Sequence, residues 1–156
     1  MGVSGCGKSR VGSLVAERMA LPLVEGDEYH PEANRVRMRS GIPLTDADRT
    51  DWLDTLAGQL RARPRGAVLT CSALKRSYRD RLRTAVPDLR FVWLELAAPD
   101  ALARVAQRAE HFFPARLVAS QFEALEAPVD EGRVLRADAM QPPEAIAHTV
   151  TRWIGS

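Results

Sequence analysis

Long apolar runs are missing from this chain. No stretch approaches the roughly 18 apolar residues that a membrane-spanning helix needs. No basic, then apolar, then small-residue pattern opens it, so nothing marks it for export. Cysteine is scarce: Cys6 and Cys71 are the two present, too few for a small fold stapled by disulfides. A surplus of charge is missing as well. Lys and Arg total 22 against 20 Asp and Glu, a net charge of +2. A general nucleic-acid binder carries a far stronger basic excess. These absences point to a soluble cytoplasmic protein with free thiols and no nucleic-acid or membrane partner. Of the 156 residues, 46% are apolar and 27% charged. That composition suits one ordinary globular domain with a single sizeable core.

Strand-like and helix-like segments alternate, which predicts an α/β fold with a parallel sheet. A glycine-rich loop, Gly2 to Gly7, opens the chain. A helix follows from about Ser9 to Ala20, with Val11, Leu14, Val15 and Met19 on one face. Leu21 to Val24 form a short strand ending in Glu25-Gly26-Asp27. Residues 28–44 are polar, with Pro31, Gly41 and Pro43, and predict an irregular or short-helical insertion. Thr45 and Asp48 make a capping box for a helix that presents Trp52, Leu53, Leu56 and Leu60 and stops before Pro64. Ala67 to Cys71 predict a second strand, and Ser72 a cap for a basic helix over about 74–84. Phe91 to Leu96 predict a third strand, with a helix from Pro99 to about Arg108. Residues 109–114 make a loop, and a helix carries Leu117 to Leu125. Arg133 to Ala137 predict a fourth strand, and a last helix starts near Pro143. Trp52, Trp93 and Trp153 fall in apolar patterns that predict core positions.

The chemistry is carried first by Gly2-Val3-Ser4-Gly5-Cys6-Gly7-Lys8-Ser9, a complete G-x-x-x-x-G-K-[ST] loop. Its glycines let backbone N–H groups close around phosphate oxygens. The helix beginning near Ser9 aims its positive end at the same oxygens. Lys8 adds a point charge for the β- and γ-phosphates, and the Ser9 hydroxyl is placed to ligate Mg²⁺. The expected cofactors are therefore ATP and Mg²⁺. Such a loop normally follows a buried strand, and only Met1 precedes Gly2 here. The central strand is thus missing from this sequence, which points to a start upstream of Met1 or to a shortened chain.

A phosphate-binding loop does not identify the acceptor. In parallel sheets, ligands gather outside the carboxyl ends of the strands, which directs attention to Asp27. It can accept a proton from an attacking hydroxyl, orient that hydroxyl, or hold Mg²⁺ through water. Glu25 lies deeper in its strand and is less well placed. His30, Asn34, Arg37 and Arg39 supply hydrogen bonds and charge for a polar anion, although a solvated helix face would read the same way. Lys75, Arg76, Arg79, Arg81 and Arg83 crowd one segment, and Lys75 and Arg79 are spaced to face one ligand. Arg104 and Arg108 share that spacing just before His111. On a closing lid they would stabilise charge on a transferred phosphoryl group. Phe112 and Phe113 suit either lid packing or core.

These segments resemble the small gluconate kinases of the P-loop group. The resemblance rests on residues 1–9, Glu25-Gly26-Asp27-Glu28-Tyr29-His30-Pro31, Asn34, Met38, Gly41-Ile42-Pro43-Leu44 and Asp46-Ala47-Asp48-Arg49. It continues through Trp52-Leu53, Cys71-Ser72-Ala73-Leu74-Lys75, Tyr78-Arg79-Asp80, His111-Phe112-Phe113 and Gln121-Phe122. Glu25 stands where the family typically has Asp, Cys6 replaces a common Ser, and Asp51 a common Pro. The resemblance implies a single three-layer P-loop kinase domain over residues 1–156, with a lid at roughly 104–122 and often a homodimer. It implies ATP-dependent phosphorylation of D-gluconate at its 6-hydroxyl. It also implies that Asp27 and His30 lie in the acceptor site, and that Lys75 and the Arg104–His111 region approach substrate or phosphates. For the substrate carboxylate, a cation from residues 75–79 or Arg37 is expected. Shikimate-like or nucleoside-monophosphate-like kinases, and a non-catalytic nucleotide-binding regulator, are the rival readings.

Overall fold

A computed structural model of the chain describes residues 1–107 and 116–156. Helix α1 (Lys8–Met19) leads to β1 (Leu23–Glu25), a 3₁₀ turn (Gly26–Tyr29), α2 (Glu32–Arg39) and α3 (Asp46–Arg61). Next come β2 (Val68–Thr70), α4 (Arg76–Ala85), β3 (Phe91–Glu95) and α5 (Ala98–Ala106). The last elements are α6 (Arg116–Ala124), β4 (Val134–Asp138) and α7 (Pro143–Gly155).

Strand β1 pairs in parallel with β2, setting Leu23 opposite Val68 and Glu25 opposite Thr70. Strand β3 pairs in parallel with β4, from Phe91 opposite Val134 to Glu95 opposite Asp138. Met1 and Gly2 connect the two pairs. The Met1 amino group donates to the Val92 carbonyl at 2.6 Å. The Leu94 amide donates to Met1 at 3.0 Å, and the Gly2 amide donates to Ser72 at 3.1 Å. Beside Met1, between β2 and β3, lies a cavity of about 140 Å³ lined by Val11, Val15, Leu69, Val92 and Val150. The central position expected for the strand before the loop is therefore held by Met1 and Gly2.

Two apolar clusters complete the layers. One joins Val11 and Val15 of α1 to Leu94, Ile146 and Val150. The other joins Trp52 and Leu56 of α3 to Tyr78, Leu82 and Phe91. Each such side chain, fully buried, contributes roughly 1.5–3 kcal/mol. Trp52 and Trp93 are buried. Trp153 is only half-buried, and the Arg90 guanidinium lies 5.5 Å from its ring. The reason is position: it sits in the last turn of α7, beyond the buried Ile146, Ala147 and Val150.

Local signals acted largely as expected. Thr45 caps α3: its hydroxyl accepts from the Asp48 amide at 3.2 Å, and the Asp48 carboxylate accepts from the Thr45 amide at 2.8 Å. The polar insertion contains helix α2. Ser72 does not cap α4, because Ala73 takes a left-handed conformation (φ 44°) and the helix starts only at Arg76. Both cysteines are buried and free. Burial pushes the Cys71 thiol up to about 12, which keeps it neutral and unreactive. No helix among the described residues is long and apolar enough to cross a membrane.

The basic segment differs from its sequence appearance. Lys75 pairs with Asp46, Arg76 with Asp80, Arg81 with Asp54, and Arg83 with Asp80 and Glu131. Arg79 is fully buried. Its guanidinium donates to the carbonyls of Ala73, Leu74 and Glu126 and to the Glu131 carboxylate. Arg79 therefore ties the β2–α4 loop to the loop after α6, and no donor remains for a ligand. Sequence spacing had set it beside Lys75 on a ligand-facing side; burial of α4 against the core turns it inward.

Candidate active site

The loop between Met1 and α1 is shaped by glycine where space is shortest. Gly7, the residue before α1, has φ 88°. Gly5 has φ 85°, and a Cβ there would sit 3.1 Å from the Ala101 carbonyl. Val3 and Cys6 anchor the loop in the core. The Lys8 ammonium folds back over it, donating to the carbonyls of Gly2 at 3.1 Å and Val3 at 3.0 Å. The start of α1, where the first helical amides have no partner within the helix, thus lies directly after the glycine loop, with the Lys8 ammonium held against that loop. That arrangement binds phosphate through partial charge and fixed donors.

Ser9 donates to the Glu25 carboxylate at 3.0 Å, and the Thr70 hydroxyl donates to the same oxygen. Glu25 is therefore better placed than its depth in the strand suggested. As the last residue of β1 it turns its side chain toward the start of α1. A serine hydroxyl beside a carboxylate is the hard-oxygen chemistry that suits Mg²⁺, which keeps waters and phosphate oxygens as its other ligands. Among the described residues, no group of three or more His, Cys, Asp or Glu forms a ready-made metal cluster.

Asp27 follows directly. Gly26 has no room for a side chain, since a Cβ would lie 2.3 Å from the Thr70 carbonyl. That close approach lets β1 run into the 3₁₀ turn, which leaves Asp27 exposed at the strand edge. The Trp52 indole donates to the Gly26 carbonyl at 2.8 Å and holds the turn. Asp27 and Lys8 both line one cavity of about 360 Å³, together with Ser4, His30, Arg49 and Gln121.

His30 is buried and stacks on Trp52, with ring centroids 4.1 Å apart and planes inclined by 13°. Its Nδ1 lies 3.4 Å from the Asn34 amide nitrogen. Burial lowers its pKa to about 4, so it faces the cavity as a neutral ring at physiological pH. This has a consequence for stability. The unfolded chain protonates His30 near its ordinary value of 6.5, whereas the folded chain does so only near 4. The unfolded state therefore binds more protons as the pH falls through this window. Stability from this group is complete above pH 6.5 and declines toward pH 4, by up to about 3 kcal/mol. Urea unfolding at pH 7.5 and pH 5 checks it: wild type should lose stability at pH 5, and a His30→Gln variant should lose clearly less.

The remaining predicted residues separate into groups. Asn34 is buried and donates to the Asp48 carbonyl at 2.7 Å, so it orients His30 and joins α2 to α3. Arg37 lies 3.6 Å from Asp48 and is not among the residues that line the cavity. Lys75 is held by both Asp46 oxygens, at 2.8 and 2.9 Å, and Tyr78 also donates to Asp46. Arg104 donates to the carbonyls of Gly5 at 3.3 Å and Ala139 at 3.0 Å, bracing the glycine loop. Arg108 and His111 lie outside the described residues, as do Phe112 and Phe113.

Three groups on the cavity wall were not singled out from sequence. Arg35 donates to the carbonyls of His30 and Glu28. Gln121 accepts from the Ser4 amide at 2.5 Å, so α6 touches the phosphate loop. Arg49 projects from the first turn of α3. The Asp46-Ala47-Asp48-Arg49 and Gln121-Phe122 segments were the available signals. Only the tertiary fold brings them to the loop.

Comparison with known proteins agrees with this geometry. Residues 1–131 match an AAA domain family, AAA_33. The chain is 43% identical to a gluconokinase of Gluconobacter oxydans, over 97% of this chain and 87% of that one. It is 44% identical to the thermosensitive gluconokinase of Escherichia coli, over 88% and 76% of the two chains. A crystal structure of a gluconokinase from Sinorhizobium meliloti superposes with a TM-score of 0.91 at 43% identity, covering 99% of this chain and 89% of that one. The glycine loop at the head of α1, the acid-tipped turn after β1 and these matches along nearly the whole chain together mean that it belongs to the gluconokinase family of P-loop kinases.

Proposed function

We propose that this chain transfers the γ-phosphoryl group of ATP to the 6-hydroxyl of D-gluconate, giving 6-phosphogluconate and ADP. The observation that carries this reading is the shared cavity: Lys8 of the phosphate loop and Asp27 of the strand-end turn open into the same space. A donor phosphate and an acceptor hydroxyl can therefore meet there. The gluconokinase relatives supply the acceptor's identity.

In this mechanism the loop amides and Lys8 hold the triphosphate. Ser9, backed by Glu25, would hold Mg²⁺, whose chemistry there would be to neutralise phosphate charge. Asp27 orients the 6-hydroxyl and takes its proton. The new bond forms between that oxygen and the γ-phosphorus, while the bond from phosphorus to the β,γ-bridging oxygen breaks and ADP leaves. Neutral His30 contributes a hydrogen bond to the polyol without adding charge. The contacts of Arg104 favour bracing of the loop. Arg108, in the lid proposed over roughly 104–122, is proposed to join Lys8 at the transferred phosphoryl. The enzyme works in the cytoplasm, and the resemblance to its family favours a homodimer.

A coupled ADP-release assay with gluconate, shikimate and nucleoside monophosphates tests the reading. ADP release that depends on gluconate is expected. ATP binding with no ADP from any acceptor would mean a nucleotide-binding regulator instead.

A further inference from the structure

We propose that Arg49 recognises the carboxylate of the acceptor and so sets the preference for a sugar acid over a neutral polyol. The inference rests on the kinase reading above and gives a role to Arg49, the last residue of the Asp46-Ala47-Asp48-Arg49 segment, to which the sequence assigns none by itself.

The other cations near the cavity are engaged elsewhere. A carboxylate is gripped best by the side edge of a guanidinium, where Nε–H and one Nη–H point in parallel. On Arg35 that edge is occupied, Nε by the His30 carbonyl and Nη2 by the Glu28 carbonyl. Arg79 is buried on Glu131. Lys75 is held by both oxygens of Asp46, and Arg37 turns to Asp48 outside the cavity wall. Arg39 reaches the cavity but pairs with Glu32.

Arg49 is arranged differently. It lines the same cavity as Lys8 and Asp27. Its Nη1 donates to the Leu44 carbonyl at 2.6 Å and lies 3.4 Å from the Tyr78 hydroxyl. The guanidinium sits 5.7 Å from the Tyr78 ring centroid. These contacts fix one end of the group. They leave Nε and Nη2 without a protein partner among the described residues. Nor are these two atoms buried and starved of partners, as Arg37 Nε is. The acids close in sequence are engaged elsewhere: Asp46 with Lys75 and Tyr78, and Asp48 with Thr45. A pre-oriented guanidinium that lines a cavity and keeps its bidentate edge unpaired suits an anion. The buried ring of His30 is neutral at physiological pH, so Arg49 and not His30 supplies the charge facing the substrate on that wall.

The test compares D-gluconate with glucitol, the same chain with an alcohol in place of the carboxylate. Wild type should prefer gluconate. In Arg49→Met, kcat/KM for gluconate should fall roughly 10²-fold, mainly through KM, as expected when one partner of a desolvated charge pair is removed. Activity on glucitol and KM for ATP should stay near wild type, so the discrimination collapses. Arg49→Lys keeps the charge and most of the stem but loses the fork. It should show an intermediate loss, and it carries the test if the methionine variant does not fold. A folded variant that keeps the wild-type gluconate-to-glucitol ratio overturns the proposal. So does an equal loss on both acceptors, which would mark a structural role. Absence of gluconate-dependent ADP from wild type would instead overturn the kinase reading on which the proposal stands.

Discussion

Lys8→Ala should lower kcat roughly 10²–10³-fold, the effect of removing one pre-placed electrostatic group from a closed site. The physical basis is the geometry of the loop. Lys8 begins α1, and its ammonium reaches across the loop to the carbonyls of Gly2 and Val3. It is held against the loop before any phosphate arrives. Charge gathers on the β- and γ-phosphates as the bond between them loosens, so a fixed cation there does more in the transition state than in the ground state. The fold should survive the change, because Lys8 is only half-buried and lies outside the two apolar clusters of the core. Steady-state ADP release, with thermal melting as the control for folding, measures this. A folded variant with wild-type turnover would remove the phosphate loop from the mechanism.

Asp27→Asn is expected to lower kcat roughly 10²–10⁴-fold, the range for loss of a general base. KM for gluconate should change little. The amide keeps the shape of the carboxylate and one hydrogen-bond acceptor, but it does not take a proton at neutral pH. The Gly26–Trp52 contact that positions the turn is untouched. The division between kcat and KM is therefore informative. A rise in KM alone would make Asp27 a binding group and would assign proton removal elsewhere in the cavity. The two substitutions also differ in their effect on nucleotide: Lys8→Ala should weaken ATP binding, and Asp27→Asn should not.

Much of this site was legible in the chain because its parts are local. The G-x-x-x-x-G-K-S loop carries its own geometry, since the glycines, the helix start and the lysine are neighbours in sequence. The Thr45–Asp48 capping box is likewise a four-residue device, and it formed where the residues required. Gly26-Asp27 was readable as a strand-end acid, although its reason emerged only in three dimensions: no Cβ fits against the Thr70 carbonyl. The cations were the opposite case. Charge and i, i+4 spacing drew attention to Lys75 and Arg79. Which way each side chain turned depended on Asp46 and on Glu131, the latter 52 residues away from Arg79.

The amino-acid order alone determined the α/β alternation, the phosphate loop, the acid that follows the first strand and the family to which the chain belongs. All of these rest on short-range backbone chemistry or on contiguous motifs. Tertiary structure decided which cations face the cavity. It sealed Arg79 inside, neutralised the basic helix with its own Asp80 and with acids from other elements, set Glu25 against Ser9 and left Nε and Nη2 of Arg49 without a protein partner among the described residues. The reason is that an ion pair forms wherever folding brings opposite charges together. Sequence spacing specifies the face of one helix but not what the rest of the chain lays against it.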